Sequence, residues 1–259
     1  MTRRPLASLA VAAVTLLALT GCGDNGGAVA GKPATGTGST SGTTTNGENP
    51  FEGKSDREIQ QLILDGMADV DSLRLSGNIV DESGDNVAMV FVLDRGGNCD
   101  GSMTLGGARA DIKSDGSFSY MRGDRAFWLS IAGDQQAADA VLAALQDRWV
   151  RMPADSEDGF NDICDLDLFL EEFAAIEGSS HLEPGEVKQV DGHEAIELVE
   201  DNGGGETTTL WVTVEAPHRI VRMSSQGGDE PGEFQLSKYN EPVNVQVPGP
   251  GEYVDQDDL

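Results

Sequence analysis

Between residues 55 and 248 the spacing of apolar side chains switches from helical to alternating, back to helical, and again to alternating. Nearly every alternating run stops at a tight-turn signal. That rhythm restricts the chain to strands joined mostly by hairpins, with helices in two places. Ser55-Asp56-Arg57-Glu58 is a capping box, and Ile59, Leu62, Ile63, Met67 and Val70 follow at helical spacing. The period then becomes two, with Leu73, Leu75 and Ile79 alternating with Arg74, Ser76 and Asn78. After a polar turn at 81–86, residues 87–93 are apolar at both parities, which predicts a central strand covered on each side. Short strands are predicted at 102–105, 108–113, 118–122 and 126–131, separated by Gly106-Gly107, Asp115-Gly116 and Gly123-Asp124. A helix over 135–148 would bury Ala138, Val141, Leu142 and Leu145. Asp165 or Asp167 would cap another, with Leu166, Phe169, Leu170, Phe173 and Ile176 as its apolar stripe. Strands at 186–190 and 193–199 flank the hairpin signal Asp191-Gly192, and further strands are expected at 207–214, 219–224, 233–239 and 243–247.

Strands linked by tight turns are antiparallel. The predicted class is therefore α+β: one large antiparallel sheet, curved by its own twist, with helices packed on its concave face. Inward candidates on the sheet are Leu75, Met89, Phe91, Phe118, Tyr120, Phe127, Leu129, Leu210 and Val212, with Leu62 and Met67 facing them from the first helix. Aromatic residues make up only 5% of the chain, which hints at an apolar cavity lined by these side chains, whereas such a pattern by itself more often means an ordinary packed core.

Residues 1–21 read as an export signal. Arg3 and Arg4 supply the positive start, and an uncharged apolar run over residues 6–19 is too short to span a bilayer, which needs roughly 20 residues. The run ends in Leu19-Thr20-Gly21-Cys22, the order a lipoprotein signal peptidase requires, with the thiol of Cys22 taking diacylglycerol and further acyl chains such as palmitate. Two or three chains suffice for stable anchoring. The export route, general or twin-arginine, stays open. Residues 22–54, the acylated cysteine and a Gly/Thr/Ser-rich stretch, predict a flexible tether. Residues 55–248 would form the folded domain, and the acids of 249–259 a disordered tail.

The chain carries 45 acidic against 17 basic residues, a net charge of −28 that falls to −30 when Arg3 and Arg4 leave with the signal. Nucleic acid is excluded as a partner by that charge, whereas a basic protein is allowed. Cys99 and Cys164 remain once Cys22 is acylated, and outside the cytoplasm they are expected to form a disulfide. His181, His193 and His218 make no ligand pair with either cysteine, so no metal is expected. No Gly-x-Ser-x-Gly elbow occurs, and His193-Glu194-Ala195-Ile196-Glu197 lacks the second histidine of a zinc protease. The acids Asp155, Glu157, Asp158 and Asp162 lack the order of a calcium loop. No catalytic set and no cofactor is expected.

Leu210-Trp211-Val212, His218-Arg219-Ile220-Val221 and the closing run Phe234-Gln235-Leu236-Ser237-Lys238-Tyr239-Asn240-Glu241-Pro242-Val243-Asn244-Val245 resemble the end of the LppX/LprAFG-type lipoproteins of actinobacteria. Leu73-Arg74-Leu75-Ser76-Gly77 resembles that family's first strand. Its middle hairpin is similar to residues 117–121 through Phe127-Trp128, and its turn into the second half to Val190-Asp191-Gly192-His193-Glu194-Ala195. The resemblance implies a LolA/LolB-like half-open barrel with an apolar cavity. It also implies a non-enzymatic carrier of acylated lipid or glycolipid, anchored on the extracytoplasmic face of the cell membrane. Cys99 and Cys164 are not a hallmark of that family. The rival reading is an anchored interaction or sensor module with a filled core.

Overall fold

A computed structural model describes residues 49–259, apart from 82, 155, 157–160, 175–180 and 229. Cys22 and the tether, Asp155, Glu157, Asp158 and Ile176 lie outside the described residues, as does the side chain of Phe173.

The predicted capping box forms at the first helix, α1 (Asp56–Ala68), where the Glu58 carboxylate accepts from the Ser55 amide at 2.9 Å. The strands β1 (Ser72–Val80), β2 (Asn86–Asp94), β3 (Asn98–Leu105), β4 (Ala108–Asp115) and β5 (Phe118–Gly123) then run as a meander. Two helices, α2 (Arg125–Ala132) and α3 (Gln135–Leu145), lead to β6 (Trp149–Pro153). The short α4 (Asn161–Cys164) and α5 (Leu166–Ala174) precede a second meander. Its strands are β7 (Leu182–Val190), β8 (His193–Gly203), β9 (Glu206–Thr213), β10 (Ile220–Gln226) and β11 (Gly232–Ser237). A final strand, β12 (Tyr253–Asp255), and a 3-10 turn at Gln256–Asp258 close the chain.

All strands form one curved, unclosed sheet in the order β12-β6-β5-β4-β3-β2-β1-β11-β10-β9-β8-β7. Neighbours are antiparallel, as predicted, except that β12 runs parallel to β6. Side chains alternate across this sheet, so registered residues share a face. Leu75, Phe91, Ile112, Met121 and Val150 lie along one row and face the helices. The row beside it, Arg74, Val92, Asp100, Lys113, Tyr120 and Arg151, faces the other way. The helix side holds two apolar clusters, one between α1, α4, α5 and strands β1, β2 and β7–β11, the other between α2, α3 and β4–β6.

Three expectations are corrected and one strand is added. Residues 126–131 are helix, not strand: the Asp124 carboxylate caps α2 by accepting from the Phe127 amide at 2.8 Å, and left-handed Gly133 ends it. β6 was not anticipated. Residues 243–247 join no ladder. The acidic end is not a disordered tail, because Tyr253 and Asp255 engage Arg151 beside β6.

These last elements belong to one path. After β11 the chain turns at Asn240, whose amide donates to Ser72 O, and Ser72 Oγ donates to Glu241 O at 2.6 Å. It then crosses the helix-free face, where Lys113 Nζ donates to Gln246 O at 3.0 Å, and reaches the Trp149 amide through Glu252 O. This strap explains why Tyr120 and Trp149 are buried although they face away from the helices.

Candidate functional site

The apolar layer beneath α1 and α5 begins with the stripe that the sequence predicted. Ile59, Ile63 and Met67 are buried, with Leu62 at their margin, and they meet Leu73, Leu75 and Phe91 from the first meander. Leu198, Leu210, Val212, Ile220 and Leu236 complete the layer from the second. α1 comes close enough to the β9–β10 connection that a Cβ on Gly66 would collide with the His218 backbone. Seven of the expected cavity residues therefore share one apolar layer: Leu62, Met67, Leu75, Met89, Phe91, Leu210 and Val212.

The other four do not join them. Phe127 and Leu129 sit on α2 in the neighbouring cluster. Phe118 and Tyr120 point to the opposite face, since Ser119 and Met121 hold the inward parity of β5. There the Arg151 guanidinium lies 4.5 Å from the Phe118 ring centre and 4.3 Å from that of Tyr253. Tyr120 meets Tyr253 edge-on, and burial pushes its phenol pKa up.

On the helix side of the sheet, phenylalanine rings lie on glycines. Phe91 covers Gly101, Phe234 covers Gly77 and Phe127 covers Gly123; a Cβ at any of these glycines would run into the ring. Around the fully buried centre is a softer margin of Leu62, Met89, Met103, Leu170, Met223 and Phe234. Thioethers turn easily about three bonds and adapt to new neighbours.

Cys99 on β3 and Cys164 at the end of α4 form the expected disulfide, with Cα atoms 5.5 Å apart. It pins α4 and the start of α5 to the inner face beside Leu93 and Leu166. Arg95, in the β2–β3 turn, donates to Val70 O at 2.8 Å and pairs with Asp167 on α5, joining the end of α1 to the same corner. At the far side of the layer the Tyr239 hydroxyl donates to Ile220 O, while the Arg219 guanidinium stacks 4.9 Å from its ring. Desolvation raises the Tyr239 pKa well above that of a free phenol.

Two clefts among the described residues open to solvent away from the space between α1 and the sheet. One, of about 180 Å³, is edged by Asp124, Trp128, Leu142 and Arg148 at the rim of α2 and α3. The other, of about 290 Å³, lies on the strap face over Arg74, Asp100, Lys113, Arg122 and Trp149. This second site was missed because the outward residues of the strands read as solvated surface. The only available signal was a cation recurring at the outward parity, as at Arg74, Arg109, Lys113 and Arg122, in an otherwise acidic chain.

No family model and no curated protein matches the chain. LprF from Mycobacterium bovis is similar to it in structure, with a TM-score of 0.50 and 15% identity over 75% of this chain and 96% of that one. The lipoprotein LppX from Mycobacterium tuberculosis aligns with a TM-score of 0.45 and 17% identity over 74% and 97% of the two chains. The chain shares the fold of LprF: the LppX/LprAFG-like, half-barrel architecture read from the sequence is the one observed.

Proposed function

We propose that the chain is a non-catalytic carrier of acylated lipid, held on the extracytoplasmic face of the cell membrane through Cys22. The observation that carries this reading is the layer of apolar side chains between α1, α5 and the sheet, with a thioether-rich margin and phenylalanine rings seated on glycines. The shared fold with LprF and the Leu19-Thr20-Gly21-Cys22 sequence support it. An acyl chain entering along Met89, Met103 and Met223 would lift Phe234 from Gly77 and gain about 0.8 kcal/mol for each methylene buried. The ligand stabilises the parted state only if those methylenes offset the contacts that α1 gives up. The test is native mass spectrometry of the chain made in an actinobacterial host, where bound acylated lipid or glycolipid is expected. A consistently bare mass would overturn the carrier reading.

One observation favours a second reading. The expected cavity residues are packed, Val212 and Phe91 almost completely, and the larger cleft opens on the other face. An interaction or sensor module with a filled core accounts for that. Its acidic surface would take a basic protein partner, and capture of that partner would weaken as salt rises.

A further inference from the structure

The strap face carries a cluster of cations that the carrier reading does not use. Arg74, Arg109, Lys113 and Arg122 line the cleft of about 290 Å³, against two carboxylates, Asp100 and Asp111. Asp100 is engaged by Lys113 at 2.9 Å, while Asp111 is shared between Arg109 at 2.8 Å and Arg122 at 3.3 Å. Arg74 is half-buried and has no carboxylate partner among the described residues. The cleft is therefore left with two positive charges in excess, in a chain whose net charge is −28.

The cations are also held in place. The Arg122 guanidinium sits 4.5 Å from the centre of the Trp149 ring and Lys113 Nζ 5.8 Å from it, so the buried indole forms a floor beneath them. Lys113 is further fixed by its bond to Gln246 O in the strap. Val90 and Val92 form an apolar wall next to Arg74, and such walls concentrate the field of the charges in front of them. Guanidinium groups already stacked on an aromatic keep their N–H edges free for a planar or tetrahedral oxyanion and lose little freedom on binding it.

We propose that this cleft is a binding site for a phosphate group, with Arg74 as its principal contact and Arg122 and Lys113 as the stacked pair opposite. The same chemistry is presented by a free phosphomonoester or inorganic phosphate and by the phosphodiester of a lipid headgroup. The site lies on the face opposite α1 and α5, so it stands or falls independently of the carrier reading.

The test is calorimetric titration of the full chain with inorganic phosphate and, separately, with glycerophosphoinositol, a soluble diester headgroup. Saturable binding of either probe that weakens with added salt supports the site. Binding of phosphate alone points to a free phosphate compound, and binding of the diester alone to a headgroup. Arg74→Gln is expected to weaken binding about tenfold without moving the melting temperature, since Arg74 has no carboxylate partner among the described residues. Arg74→Lys should restore part of the loss, and Lys188→Gln, in a surface pair with Glu197 away from the cleft, should change nothing. Failure of both probes to bind, or equal binding by Arg74→Gln, overturns the proposal.

Discussion

Replacing Cys99 and Cys164 together by alanine opens a loop whose ends are 65 positions apart. In the chain-entropy description, closing a loop of that length destabilises the unfolded chain by about 4 kcal/mol at 25 °C. The sulfurs are also packed, with Cys99 0% and Cys164 4% exposed, so alanine leaves small voids that add up to about 1 kcal/mol. For a body of this size the sum corresponds to a fall in melting temperature of roughly 10–20 °C. Urea unfolding of the oxidised chain, the reduced chain and the double variant separates the two contributions: reduction alone should remove about 4 kcal/mol, and the variant slightly more. The loss should also be local. α4 has 4 residues and α5 has 9, shorter than the ~12 that an isolated helix needs, so their amides should exchange first once the bridge is gone. If reduction costs less than about 1 kcal/mol, the loop-closure reasoning is wrong for this chain.

Cys22→Ala should leave the chain without acyl mass and move it from the detergent phase to the aqueous phase on cloud-point partitioning. Asp124→Ala removes the cap of α2 and should cost about 1 kcal/mol in thermal or urea unfolding, with loosening of the Phe127–Trp128 corner visible in tryptophan fluorescence. Tyr239 sets an alkaline limit. Its phenol ionises near 10 when unfolded and higher when folded, so its contribution is complete below pH 10 and is lost as pH rises through the interval above. Tyr239→Phe should lower stability by about 1 kcal/mol at neutral pH and flatten its decline above pH 10 in melts recorded across that range.

The two meanders were legible because Gly106-Gly107, Asp115-Gly116 and Asp191-Gly192 are turn pairs with strong backbone preferences, and because the α1 stripe has an unambiguous period. Residues 126–131 were not. Phe127, Leu129 and Ile131 recur at a spacing of two as in a strand, and only Asp124 and Gly133, spaced as caps, mark the helix. β6 is 5 residues long and ends in proline, so it offers little periodic signal. The site reading failed at Phe118 and Tyr120 for a related reason. β5 carries apolar side chains at both parities, and its register against β4 and β6, rather than its own pattern, decides which of them faces the helices. The strap hides the outcome further, by giving outward aromatics an apolar surrounding that local sequence does not show.

The belt from Ser72 to Trp149 also bears on which part of the molecule can yield. It is fastened at the middle of the sheet through Glu241, at β4 through Gln246 and at the rim through Glu252, so those strands cannot flatten or fan apart without breaking three separate attachments. One wall of the apolar layer is thereby made stiff. On the proposed carrier reading, room for an acyl chain must come from the opposite wall, by α1 tilting away from His218 or α5 swinging about the bridge that ends at Cys164.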